Sequence, residues 1–107
     1  MSAVATNHAA QRPLKAALFD RIHAEIRATR GHVWSHACRE ESVIVGQLGG
    51  RPIFVAVKLP GRLPPDRVLA TIVNAHLAGG IALIARQPGD FTFHLKAWPG
   101  RKERSGA

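Results

Sequence analysis

Large hydrophobic residues recur at helical spacing in two segments of the chain. Between residues 13 and 30 they return every four positions, which places them on one face of an amphipathic helix. Pro13 suits the first turn of this helix, and Gly31 suits a left-handed exit from it. Residues 66–78 predict a second helix for the same reason. The hydrophobic positions are Leu14, Leu18, Ile22 and Ile26 in the first helix and Val68, Leu69, Ile72, Val73 and Leu77 in the second.

Five other segments have the composition of β-strands, rich in β-branched and aromatic residues. Gly49 and Gly50 separate the second from the third and predict a tight hairpin between them. The fourth is hydrophobic throughout, which is typical of a strand buried on both faces. The segments are residues 32–36, 42–47, 51–58, 81–85 and 91–95. This order predicts an α/β fold with an αβββαβ core, in which two helices flank a mixed sheet and a short last strand follows.

Length and composition are those of one small folded domain. The chain has 107 residues, of which 46% are hydrophobic, and no hydrophobic run approaches the roughly 20 residues of a membrane span. We expect a loose leader over residues 1–12, a single domain over 13–98 and a basic flexible tail over 99–107. Cys38 is the only cysteine, so no internal disulfide can form, and a cytoplasmic location without membrane contact is expected.

The charge balance points to a polyanionic partner. The chain has fifteen lysines and arginines and seven acidic residues, which gives a formal net charge of +8. Cationic surfaces attract nucleic acids by Coulomb steering and by releasing counterions from phosphates. The basic residues are spread from Arg12 to Arg104, so the fold must assemble any binding surface. The alternative is that the charge serves only solubility.

The strand predicted over residues 51–58 has two distinct faces, because successive side chains of a strand point to opposite sides. Ile53, Val55 and Val57 share one face. The other face carries Ala56 and Lys58. A metal-dependent nuclease needs a carboxylate beside a lysine on such a face, to hold the cation and to organise water or phosphate. Here the lysine is present and the carboxylate position is an alanine.

The stretch from about residue 43 to residue 90 resembles the PD-(D/E)xK nuclease superfamily. Within it, the chain is most similar to the small phage- and bacteria-borne VRR-NUC domains, which are related to Holliday-junction resolvases. The resemblance is carried by GGRPIFVAVK at residues 49–58, by the Pro/Gly loop LPGRL at 59–63, by a helix ending in Gly79-Gly80 and by the buried strand IALIA at 81–85. It implies a restriction-endonuclease-like fold, a Glu-x-Lys motif on the third strand and a Mg²⁺ or Mn²⁺ ion as cofactor.

Only part of the family motif is present. Lys58 matches the lysine of Glu-x-Lys, and Ala56 occupies the position of its glutamate. The metal-binding aspartate of the second strand falls near Ser42 or Val43, and neither residue is a carboxylate. A single carboxylate rarely holds Mg²⁺ alone, so a chain with neither ligand is expected to have impaired catalysis.

Other acidic residues are candidates for displaced metal ligands. Glu40 and Glu41 lie just before the second strand and reach the site if a β-bulge shifts its register. Asp66 is a further displaced candidate. The resemblance also allows Asp20 or Glu25 of the first helix as an accessory acidic residue.

Three functions are therefore considered. The first is a nuclease-fold protein that binds DNA or structured nucleic acid with little or no catalysis, and the second is an active Mg²⁺- or Mn²⁺-dependent endonuclease with displaced carboxylates. The third is a phage-type scaffold that binds a protein.

Ala56 is either a natural or an engineered residue, and a homodimer pairing through residues 91–95 is possible. Trp98 is the better of two tryptophans for stacking on a base. The candidate phosphate contacts are Arg51, Arg62, Arg67 and Arg86, around Lys58.

Overall fold

A four-stranded mixed sheet forms the centre of the computed structural model, which describes residues 3–29, 33–38 and 42–98. Its strands are β1 (Val33–Cys38), β2 (Val43–Leu48), β3 (Arg51–Val57) and β4 (Ile81–Ala85). They lie side by side in chain order, with β1, β2 and β3 antiparallel and β4 parallel to β3. The helices are α1 (Ala3–Arg27), α2 (Asp66–Leu77) and α3 (Asp90–Ala97). The predicted α/β class with a mixed sheet is confirmed.

The main hydrophobic core lies between one face of the sheet and the helices α1 and α3. Ile53, Val55 and Val57 alternate along β3 and all point into this core, as their spacing predicts. The predicted stripe of α1 packs against them from Leu18 onward, whereas Leu14 remains exposed. The remaining buried members of the core are Phe19, Ile22, Ile26, Ile44, Ile81, Ala85 and Phe91.

Helix α2 covers the opposite face of the sheet, as the connection between the parallel strands β3 and β4. Its C-terminal end approaches β3 very closely at Gly80. A Cβ atom added there would lie 2.9 Å from the carbonyl oxygens of both Ala75 and Pro52. Only glycine fits between these two backbones, and this contact fixes where α2 ends relative to the start of β3.

The prediction of a last strand over residues 91–95 is wrong, because this segment belongs to α3. The backbone turns at Gly89, which has a left-handed φ of 95°, and the helix begins at Asp90. The Glu25 side chain of α1 then accepts hydrogen bonds from backbone N–H groups of Gly89, Phe91 and Thr92. A carboxylate at a helix N-terminus satisfies groups that lack intrahelical partners. A helical segment offers no strand edge for pairing with a second copy.

Helix α1 begins ten residues earlier than the sequence predicts, at Ala3, so residues 3–12 are not a loose leader. Four of these ten residues are alanines, which favour helix, and Pro13 lies inside the helix rather than in its first turn. An internal proline removes one backbone hydrogen bond and costs about 3 kcal/mol, and α1 continues through Pro13 despite this cost. No helix of the described residues, α1 included, is long and apolar enough to cross a bilayer. The predicted tail over 99–107 lies outside the described residues.

Candidate functional site

The two positions at which the resemblance expects metal-binding carboxylates are neighbours in the sheet. Ala56 on β3 pairs directly with Val43 on β2. Directly paired residues on adjacent antiparallel strands have Cβ atoms about 5 Å apart and share a face. On its other side Ala56 pairs with Ile84 of β4. Two carboxylates placed at residues 43 and 56 would therefore face one another.

The side chains present at these positions do not fit a divalent cation. The exposed fraction is 1% for Ala56 and 4% for Val43, so both are closed off from water. Hard cations such as Mg²⁺ require oxygen ligands, which a methyl and an isopropyl group cannot supply. Ser42 is also buried, and its φ of 58° turns the chain at the start of β2, where its carbonyl accepts a hydrogen bond from the Val57 N–H. The described part of this site is apolar.

The acidic residues proposed as substitutes do not assemble into a metal site within the described residues, where no group of three or more metal-binding side chains is found. Glu25 caps α3 instead of serving as an accessory ligand. Asp66 is exposed in the first turn of α2. Glu40 and Glu41 lie outside the described residues.

Lys58 lies immediately after β3, where the sheet meets a loop. Its backbone N–H donates to the Ala85 carbonyl at 3.0 Å, which continues the pairing of β3 with β4 by one residue. The side chain is half-buried, and burial is the main cause that lowers the pKa of its ammonium group. The positive charges of Lys15 on α1 and Arg62 in the loop lower this pKa further. Lys15 and Arg62 therefore each lie close enough to Lys58 to repel its charge.

Arg86 fixes the loop that carries Arg62. Its Nη1 group donates to the carbonyl oxygens of Leu59 at 3.1 Å and Arg62 at 2.6 Å. Its own backbone N–H donates to the Asp90 carboxylate at 2.7 Å, which also accepts from Gln87. Because the carboxyl ends of the parallel strands β3 and β4 lie at the same edge, Arg86 after β4 reaches the loop after β3.

We call the group formed by Lys15, Lys58, Arg62 and Arg86 the basic end of the sheet. Arg67 lies in the first turn of α2, after the same loop, and its side chain is exposed, but no contact in the described residues joins it to this group. Arg51 does not join it, although the sequence groups it with the other arginines. It lies at the start of β3, seven residues from Lys58, which corresponds to about 20 Å along a strand. There its Nε group donates to the Gly79 carbonyl at 3.0 Å.

A second cluster, absent from the sequence prediction, lies at the Arg51 end of the sheet. The rings of His76 and Trp98 meet edge to face, with centroids 5.0 Å apart and an interplanar angle of 88°. His94 lies 6.3 Å from His76 and 6.4 Å from Trp98. We call these three residues the aromatic cluster. In the sequence, only the spacing of four residues between His94 in α3 and Trp98 directly after it indicates that two members of this cluster lie close together.

The surroundings of His94 favour the neutral form of its imidazole. Burial, followed by the charges of His76 and Arg51, lowers the pKa of its imidazole. Its Nε2 atom is buried and has no hydrogen-bond partner among the described residues. The strand predicted over residues 91–95 would include His94, and this prediction is wrong because the segment is helical.

Comparison of the chain with protein-family models, with curated proteins and with solved structures finds no match.

Proposed function

We propose that this protein binds nucleic acid through phosphate contacts at the basic end of the sheet. The observation that carries the proposal is that the half-buried Lys58 at the end of β3 lies next to the loop of Arg62, which Arg86 holds through two hydrogen bonds. The charges of Lys15 and Arg62 both repel the ammonium group of Lys58. An anion bound among these cations relieves the repulsion. A polyanion with regularly spaced phosphates suits a chain whose net charge is +8.

The geometry of the basic end supports phosphate binding over simple solvation of scattered charges. Arg86 uses its guanidinium to fix the loop after β3, so Arg62 is presented by an ordered segment. Lys58 is a compact charge on the strand end, suited to a single phosphate oxygen. The exposed guanidinium of Arg67, in the first turn of the helix that follows the loop, is a further candidate for a phosphate contact. Contacts of this kind position a protein on a duplex without reading its sequence.

The proposed binding does not include metal-dependent cleavage at residues 43 and 56. The order of helices and strands is compatible with the αβββαβ layout that the resemblance implies. A shared layout does not by itself carry an activity. At the paired positions Val43 and Ala56 no oxygen ligand is present. Binding by the fold without hydrolysis is the function that these residues favour.

The first experiment compares the affinity of three proteins for a fluorescently labelled 20-base-pair duplex by anisotropy at one fixed salt concentration. We expect Lys58→Gln to weaken binding about tenfold, because one charge-assisted contact with phosphate is lost. The matched control is Lys96→Gln, which removes the same charge from an exposed residue in the last turn of α3, away from the basic end. It is expected to change the affinity less than twofold.

Thermal unfolding of the same variants separates binding from folding. Lys58→Gln removes repulsion with Lys15 and Arg62, so its free energy of unfolding is expected to be unchanged or higher. Equal affinity losses in Lys58→Gln and Lys96→Gln would show that only net charge matters, and the proposed site would then be wrong.

A further inference from the structure

The aromatic cluster has the composition of a stacking site for a planar ligand. Trp98 directly follows α3, and its backbone N–H donates to the His94 carbonyl at 2.8 Å, which holds the indole near the helix end. Contact with His76 orients the ring. Even so, 53% of Trp98 remains exposed. Part of an ordered indole is therefore available to another flat group.

Arg51 places a fixed positive charge at the same end of the sheet. Its Nε group is held by the Gly79 carbonyl, and none of the hydrogen bonds among the described residues uses its two terminal nitrogens. A guanidinium has five N–H donors, so the terminal groups remain able to bind an anion. Arg51 is close enough to act on His94 electrostatically. A flat aromatic surface beside an oriented cation matches a nucleobase with its phosphate.

We propose that Trp98 stacks on an unpaired base of a bound nucleic-acid strand and that Arg51 contacts a phosphate of the same strand. This inference rests on the proposed function, and it specifies the ligand as nucleic acid with a single-stranded portion. Base–aromatic stacking tolerates any base, because every base has a π-face. Inside a duplex the bases are stacked on one another and offer no such face; only the two terminal base pairs expose one.

The distance between Lys58 at the basic end and Arg51 indicates how long a bound nucleic-acid strand must be to reach both residues. Arg51 and Lys58 are separated by the length of β3, about 20 Å. A strand whose bases remain stacked advances about 3.4 Å per nucleotide, so about six stacked nucleotides cover the length of β3.

The test measures the affinity of the full chain for a labelled twelve-nucleotide oligothymidine and for a blunt twelve-base-pair duplex. Trp98→Leu is expected to weaken single-strand binding about 5- to 100-fold and to change duplex binding less than twofold. Trp98→Phe keeps an aromatic ring and is expected to recover most of the loss. The matched control is Phe93→Leu, on the helix α3 that precedes Trp98, which removes an aromatic ring that is 73% exposed and lies outside the cluster.

Several outcomes would overturn the inference. One is a Trp98→Leu affinity for the single strand within twofold of the unmodified chain, and another is an equal loss with single strand and duplex. A third is binding of AMP as tight as that of the oligonucleotide, which would make the ligand a free nucleotide. Lys58→Gln, measured on the duplex, reports separately on the basic end. If it has no effect while Trp98→Leu still weakens single-strand binding, the proposed function fails and the stacking site stands.

Discussion

A methyl group occupies the middle of the sheet at Ala56, with Val43 and Ile84 as its cross-strand neighbours. The resemblance to nucleases expects a carboxylate at this position. A lone carboxylate here would be buried against hydrophobic side chains, and burial of an unpaired charge is costly. Val43 and Ala56 are therefore suited to each other, because both are apolar and pack side by side on a buried surface.

Replacing this alanine alone is expected to damage the fold without creating a nuclease. Ala56→Glu should lower the free energy of unfolding by roughly 3 kcal/mol or more, because the new carboxylate has no metal and no partner. In a cleavage assay on plasmid and branched DNA with Mg²⁺ or Mn²⁺, we expect no product from the unmodified chain or from Ala56→Glu. Cleavage by the unmodified chain that disappears in Lys58→Ala would contradict this expectation and direct attention to Glu40 and Glu41.

His94 makes the fold sensitive to acid. Burial and the neighbouring charges of His76 and Arg51 lower its pKa in the folded state, so the unfolded chain binds a proton more readily. Stability is therefore fully present above the ordinary histidine pKa of about 6.5 and falls as the pH drops below it. Urea unfolding between pH 7.5 and 5 should show a steeper loss of stability for the unmodified chain than for His94→Gln. Parallel pH profiles would show that His94 does not contribute.

At the scale of whole elements, α3 shows that local sequence patterns do not contain long-range contacts that decide between helix and strand. The residues Phe91-Thr92-Phe93-His94-Leu95 alternate like a strand, and Phe93 is exposed in the helix that they form. The cap of this helix comes from Glu25, which precedes it by more than sixty residues. No window of local sequence contains that interaction. By contrast, the hairpin of β2 and β3, helix α2 and strand β4 follow from local signals, and the structure has them within one or two residues of the predicted ends.

The cap from Glu25 gives a stability prediction for α3. Glu25→Gln keeps one oxygen acceptor and removes the charge that complements the helix dipole, so we expect a loss of about 1 kcal/mol in the free energy of unfolding. Glu25→Ala removes all three hydrogen bonds and should cost about 2 kcal/mol. Urea denaturation measures both values. Asp66→Asn is the control, since Asp66 is an exposed acidic residue in the first turn of α2. A larger loss in the control would contradict the assigned role of Glu25.

Part of the candidate site follows from the rule that the carboxyl ends of neighbouring parallel strands lie at the same edge of a sheet. That rule brings Arg86, after β4, beside the loop that follows β3, where Lys58 and Arg62 lie. It fails for Arg51, because closeness in sequence on an extended strand still means a separation of about 20 Å. The aromatic cluster was not predictable, because His76 and Trp98 come from the ends of two different helices.

At the scale of the whole molecule, the two groups of candidate binding residues lie at opposite ends of the β3–β4 pair. The carboxyl ends of these strands carry the basic end, with Lys58 at its centre. The amino ends carry Arg51 and the aromatic cluster. We therefore expect a nucleic acid that follows both proposed sites to meet phosphate contacts at the basic end and a stacking surface at the amino end of β3, about 20 Å along the strand. A ligand in which duplex and single strand adjoin would satisfy both proposals.

The salt dependence of duplex binding is the most direct test of phosphate contact at the basic end. Affinities of the unmodified chain, Lys58→Gln and Lys96→Gln are measured between 50 and 300 mM salt, and log K is plotted against log salt. Each phosphate contact contributes about −0.9 to the slope, so Lys58→Gln is expected to reduce the slope by about one and Lys96→Gln to leave it unchanged. A flat plot for the unmodified chain, or an unaltered slope in Lys58→Gln, would contradict the account.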